Sequence, residues 1–441
     1  MTSKRFGRTG QWGLALALLL AATGCASTAR PQAYRSEKTR LAPQPAAANT
    51  EALVAGNTAF ALDLYHWLRG AQLGSAQIGS AEGAPDNLFY SPYSISLALA
   101  MTYAGARGET ERQMAETLQF TLGQAKLHPT LNALDTALAQ RAADVAPEEG
   151  DVFQFHVANA LWGQTGYAFT PDFLDLLAEH YGAGLRTLDF SQDPEAARQA
   201  INAWVSEQTE DRIRDLIRQG VIQPSTRLVL TNAIYFNAAW HHPFEEALTR
   251  DGPFSLLDGT QIDVPMMLQM EYFPFAEGAG YQAIELPYVG RQASMVILLP
   301  DKGQFAAFEE ALNADTLAAI LADLEHQNVS LRMPKFEYDA RLDLAKTLAA
   351  MGMPAAFDGE VADFSGMTGT RSLAIGAVVH KAFVAVDEAG TEAAAATAVV
   401  MVESARPEPG VEVRVDRPFI FLIRDVPSGT ILFLGRVVDP R

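Results

Sequence analysis

From residue 51 the chain alternates between helical and strand-like spacing of its apolar positions, with no repeat and no Pro/Gly/Ser-rich linker to divide it. Ala52–Leu68 places Leu53, Ala59, Phe60, Leu64, Trp67 and Leu68 at helical intervals and predicts a first helix. Gly70–Ala84 is rich in Gly, Ala and Ser and reads as a loop. Ser91-Pro92 supplies a cap and a first-turn proline for an apolar helix over Ser94–Tyr103. Further helices are predicted over Glu109–Leu118, Leu127–Arg141, Pro171–Tyr181, Pro194–Ile217, Phe305–Leu321 and Leu342–Met351. Strands are predicted over Val152–Trp162, Arg227–Phe236, Ser294–Leu299, Val329–Met333, Val411–Val415, Phe419–Ile423 and Ile431–Val438. The pattern is that of one large α+β domain over 51–441.

The N-terminus has a different texture. Lys4, Arg5 and Arg8 precede the apolar run Leu14–Ala22, which is too short to span a bilayer and reads as an export signal. It ends in Ala22-Thr23-Gly24-Cys25, a lipobox-like arrangement that makes residues 1–24 a leader and Cys25 the lipidated mature N-terminus. Cys25 is the only cysteine of the 441 residues, so neither an intramolecular disulfide nor a cysteine nucleophile within the domain is available. Residues 25–50, rich in Ala, Pro, Thr, Ser and Gln, are expected to form a disordered tether.

Charge and motifs then remove function classes. Loss of Lys4, Arg5 and Arg8 with the leader takes the formal charge from -19 to -22, which argues against nucleic-acid or heparin binding through bulk charge. There is no His-Glu-x-x-His, no Gly-x-Ser-x-Gly, no P-loop and no Gly-x-Gly-x-x-Gly after a strand. Of the eight histidines only His241 and His242 adjoin, a surface pair rather than a zinc site. Nothing favours an enzyme, a metal or a cofactor.

The most unusual stretch begins at Val384-Ala-Val-Asp387 and continues Glu388-Ala-Gly390-Thr391-Glu392-Ala-Ala-Ala-Ala-Thr397. An alanine-rich connector would explain the small residues, but not the apolar run Ala398–Val402 beyond them, nor some twenty residues without structure. With strand alternation, Thr391, Ala393, Ala395, Thr397, Val399 and Met401 share one uncharged face, as a strand entering a sheet requires.

This segment resembles the reactive-loop hinge of the serpins. The resemblance extends in order over about 390 residues, through Asn87–Thr110, Thr231–Trp240, Leu286-Pro287-Tyr288, Met333–Phe336, His380-Lys381 and Arg417–Phe421. It implies about nine helices, three sheets and an exposed reactive-centre loop over about 388–410. It also implies a suicide inhibitor of serine proteases: the cleaved loop inserts into the central sheet while the protease is held as an acyl-enzyme. By position, Glu388, Gly390 and Thr391 match the hinge and Ala393, Ala394, Ala395 and Ala396 the segment that inserts first. Ser91, Ser94, Asn232 and His380 match the polar cluster called the shutter, and Trp240 the breach below the loop's entry.

Counting from the hinge places the scissile bond at Ser404–Ala405. The loop is a few residues longer than a common family length, which leaves Met401, Val402 and Arg406 as alternatives, Arg406 disfavoured by Pro407. The surrounding residues suit elastase-like or subtilisin-like proteases. The resemblance also leaves room for a non-inhibitory chaperone or carrier and for cross-class inhibition of a cysteine protease. The hinge, free of bulky or proline residues, argues against the first. The stretch Lys126–Arg141 has few bases, so heparin activation is not expected. The expected partners are a target serine protease and, through Cys25, a membrane; the expected state is an exported monomer, lipid-anchored at the bacterial envelope or surface, or secreted.

Overall fold

The computed structural model describes residues 31–73, 87–144, 153–391 and 410–441. Its largest feature is a seven-stranded sheet in the order Gln32–Tyr34, Leu185–Leu188, Phe153–Gln164, Leu228–Ala239, Gly390–Thr391, Ile375–Val386, Phe336–Asp343. A second sheet runs Val411–Arg414, Glu325–Pro334, Gln261–Gly278, Tyr281–Pro287, Ala293–Pro300, Phe419–Asp425, Ile431–Val437, Leu88–Tyr90, with Arg250–Ser255 attached to Gln261–Gly278. The strand Gln261–Gly278, at 18 residues, pairs with different neighbours at its two ends. Two of the three expected sheets therefore share a strand and form one hydrogen-bonded network. Ten α-helical segments occur among the described residues, the tenth only four residues long.

One helix positions the site. Pro92–Tyr103 begins as its sequence predicts: the Ser91 side chain accepts the Ser94 backbone N–H and Pro92 stands in the first turn. Every residue of this helix is buried, as an all-round apolar sequence requires. It lies beneath the large sheet, against Phe153–Gln164 and Leu228–Ala239, so Ser91 at its cap and Ser94 in its first turn reach the sheet's middle.

Three expectations are corrected. The helix predicted over Pro194–Ile217 ends at Gln208, because Glu210 and Asp211 take left-handed backbone angles (φ 49° and 63°). Phe305–Leu321 divides into Phe305–Ala311 and Ala314–Ala322, where Asn313 starts a new helix with a capping box to Thr316.

The third concerns the tether. Residues 31–50 belong to the domain: Gln32–Tyr34 pairs with Leu185–Leu188 at the edge of the large sheet, and the first helix already starts at Ala47. Between them Arg40 donates to Asn132 Oδ1 at 2.7 Å and to Asp135 at 2.6 Å, and Leu41 N–H donates to the Glu179 carbonyl at 2.8 Å. Polar composition mimicked a tether because a three-residue strand is too short to show a period, and its partners lie far away along the chain.

Candidate functional site

The site is the seam between the two long strands Leu228–Ala239 and Ile375–Val386. They run parallel and pair directly from Ile375 opposite Leu228 to Ala382 opposite Ile234. Beyond that point they part. Gly390–Thr391 fills the gap, with Gly390 opposite Ala239, and Thr391 opposite Ala238 on one side and Val386 on the other.

The chain reaches this gap by reversing sharply after Val386. Asp387 makes the reversal: its carboxylate accepts the Ala389 N–H at 2.9 Å and the Gly390 N–H at 3.2 Å, and its own N–H donates to the Gly390 carbonyl. Trp240 holds the turn from two sides. Its backbone N–H donates to the Ala389 carbonyl and its indole N–H to the Asp387 carbonyl, both at 2.9 Å. The Trp240 ring stacks on Tyr288 with centroids 4.7 Å apart, and the Tyr288 hydroxyl meets the Thr391 hydroxyl at 2.7 Å.

Glycine is required at 390 because a Cβ there would lie 2.2 Å from the Ala238 carbonyl oxygen. Glu388 carries the polar anchor, accepting from Thr249 at 2.6 Å and from Lys335 at 2.7 Å. Burial works to raise the Glu388 carboxyl, and the bonds from Lys335 and Thr249 outweigh it, holding it below the usual range.

A second polar cluster closes the seam at mid-sheet. His380 and Asn232 are register partners on the two long strands, and their side chains bond across the seam, His380 Nδ1 to Asn232 Oδ1. The Ser91 backbone N–H donates to His380 Nε2 at 3.2 Å, so Nε2 must be unprotonated and Nδ1 carries the hydrogen. Asn232 Nδ2 donates to Ser94 Oγ at 2.5 Å and to Asn159. Burial drives the His380 pKa down to about 3, which keeps the ring neutral at physiological pH. Ser91, Ser94, Asn232 and His380 are all essentially inaccessible to solvent, and each has a partner.

The sequence-predicted residues thus fall into three groups. Ser91, Ser94, Asn232 and His380 converge on one latch, while Glu388, Gly390, Thr391 and Trp240 converge on the gap above it. Glu388–Thr391 corrects the expectation of a loop exposed from residue 388: Glu388 is 8% exposed and Thr391 1%. Cys25, Ala393, Ala394, Ala395, Ala396, Ser404 and Ala405 lie outside the described residues.

Sequence reasoning missed three participants. Asn159 extends the latch to a third strand, and an asparagine inside the apolar run Val157–Trp162 was its signal. Asp387 and Thr249 carried no signal, since acidic and hydroxyl residues of this kind recur throughout the chain. The pair His241–His242 is a ring contact at 4.5 Å, with Arg291 on His241. Among the described residues no group of three or more His, Cys, Asp or Glu side chains is placed to hold a metal.

A strand pair opened at one end, with a hinge seated in the opening, invites comparison with known proteins. The family profile described as Serpin (serine protease inhibitor) matches residues 55–440. This chain is a serpin. Among similar serpins, a serpin-like protein of Thermococcus kodakarensis is 41% identical over 81% of this chain and 82% of its own length. The leukocyte elastase inhibitor of Sus scrofa is 40% identical over 88% of this chain and all of its own. Of solved structures, native tengpin, a thermophilic serpin, superposes with a TM-score of 0.79 at 26% identity, over 93% of this chain and 100% of its own. Uncleaved ovalbumin gives 0.75 at 28% identity, over 88% and 100%. Serpins act as protease inhibitors, targeting serine proteases generally, and the fold expected from the sequence is the serpin fold.

Proposed function

We propose that this serpin traps a serine protease by inserting its cleaved loop down the seam. The observation that carries this reading is the placement of Gly390–Thr391 between the two long strands. The two ladders already formed set the register for the next residues of the loop. Continued in that register, Ala393 would arrive opposite Phe236, Ala395 opposite Ile234, and Thr397 between Asn232 and His380. The side chains on the inward face are therefore small until the strand meets the latch, and there a hydroxyl replaces the Asn232–His380 contact. Insertion converts one parallel pairing into two antiparallel ladders, and acylated protease would be carried along with the strand.

The residues ahead of the expected cut at Ser404–Ala405 support a target class. Val399, Val400, Met401 and Val402 suit a protease that accepts small or medium apolar side chains, elastase-like or subtilisin-like, and relatives of this chain carry the name leukocyte elastase inhibitor. The hinge sequence favours an inhibitor over a chaperone or carrier, since no aromatic residue or proline lies between Gly390 and Val402. The leader-like sequence and Cys25 support a lipid anchor at the cell envelope, and a monomer is the proposed state; labelled palmitate should enter the wild type and not Cys25→Ala, and labelling of both contradicts the anchor.

The test of function is incubation of the mature domain with pancreatic elastase and with subtilisin. An SDS-resistant complex at the summed mass is expected. Clean loop cleavage with no complex across a broad protease panel overturns the trapping mechanism.

A further inference from the structure

Beside the loop's exit the second sheet exposes an apolar stripe that no part of the described fold covers. On Gln261–Gly278, Met270 and Tyr272 are 37% and 65% exposed, while Gln269 and Phe273 on either side of them are buried. The alternation puts both on the outer face of the sheet. Across the ladder, Tyr272 stands opposite Asn328 and Met270 opposite Ser330, and Ser330 in turn stands opposite Glu412 on Val411–Arg414. Single exposed apolar residues are ordinary, but a Tyr and a Met two positions apart on one strand form a patch.

Geometry names the occupant. Val411–Arg414 begins directly after the reactive loop, and Gly410 passes so close to Asn328 that a Cβ would lie 2.7 Å from the Asn328 carbonyl oxygen. Tyr272 is therefore two strand spacings, about 10 Å, from the strand by which the loop returns. From Gly410 to the expected cut at Ala405 the chain spans at most about 18 Å. A protease of about 220 residues has a radius of gyration of about 17 Å. A protease of that size seated on that bond would have the stripe within its reach.

We infer that Met270 and Tyr272, with the polar row of Asn328 and Ser330 beside them, form a second contact surface for the target protease, one that presents an apolar loop at the rim of its substrate cleft. The inference rests on the inhibitor reading and adds a docking surface separate from the loop sequence. It governs encounter and target choice, not insertion, because these side chains belong to the second sheet and not to the seam. An aromatic anchor at such a contact is the residue type whose truncation costs most.

The experiment compares wild type with Tyr272→Ala and Met270→Ser against elastase, subtilisin and chymotrypsin. For the preferred protease Tyr272→Ala should lower the second-order association rate about tenfold. The fraction of complex per cleavage and the melting temperature should stay unchanged, and the loss should differ between proteases. If wild type is cleaved without complex formation, the trapping reading fails, and the rate of loop cleavage then reports the docking surface in the same way. Equal rates for wild type and variant with every protease overturn the surface. So does a wild-type dimer that Tyr272→Ala dissolves with rates unchanged, which would assign the stripe to a second copy of the chain. A chain neither trapped nor cleaved by any of them overturns both.

Discussion

The two ends of one seam hold themselves together in opposite ways. At the top, Gly390–Thr391 has parted the long strands and makes their hydrogen bonds for them; at mid-sheet the same strands pair directly, and His380 bonds Asn232 across the join. On the proposed mechanism, the top contacts belong to a hinge that would move and the middle ones to a latch that would have to give way to the incoming strand. The contrast teaches that readiness to insert needs both halves: a wedge alone would zip down unprovoked, and a latch alone would leave the loop nowhere to start.

The largest expected effect comes from breaking the wedge. Thr391 is buried against the Tyr288 hydroxyl, so Thr391→Arg places an unpaired charge on the inward face at the first step. A cost of about 3 kcal/mol or more at that step should divert most encounters from trapping to cleavage. The gel with elastase or subtilisin should then show cleaved protein and a complex reduced at least about tenfold. Undiminished complex formation contradicts entry at this point.

Breaking the latch should instead show in stability. His380→Ala leaves the Ser91 N–H and the Asn232 amide oxygen buried without their partner and opens a cavity, for about 3 kcal/mol. In a domain of this size that is about 4 °C in melting temperature by calorimetry. A sharper effect is its pH dependence. The native ring titrates near 3 and the unfolded ring near its ordinary 6.5, so between those values the unfolded state binds the extra proton. Stability is full above about pH 6.5 and is lost progressively as the pH falls toward 3. Buried His128, also pushed down to about 3, loses stability over the same range. The acid slope should therefore flatten in His380→Ala without vanishing, and an unchanged slope would remove His380 from the account.

How much of this was legible in the sequence tracks the same divide. The latch was legible through the resemblance, which matched Ser91, Ser94, Asn232 and His380 to the shutter; taken alone, each reads only as a polar residue in apolar surroundings that needs a partner. The small residues after Gly390 carry the expected inward face of the hinge, beyond Thr391 outside the described residues. What could not be read was pairing at a distance. The close approach that makes Gly390 obligatory depends on the path of Ala238 and Ala239, and Tyr288 matters through a stack on Trp240 and a hydroxyl on Thr391, which no local pattern encodes. The edge strand Gln32–Tyr34 hid for the same reason, since backbone bonding to Leu185–Leu188 asks little of its side chains.

The central claim is that the loop completes the large sheet, and melting of the loop-cleaved protein tests it most directly. Insertion down the seam would add about ten ladder hydrogen bonds at about 1 kcal/mol each. At about 1.2 °C per kcal/mol for a domain of this size, protein nicked in the loop by a trace of thermolysin should melt about 12 °C higher than intact protein. A nicked protein that melts at the intact temperature, or below it, would mean that the gap holding Gly390–Thr391 is closed to the rest of the strand, and would contradict the account.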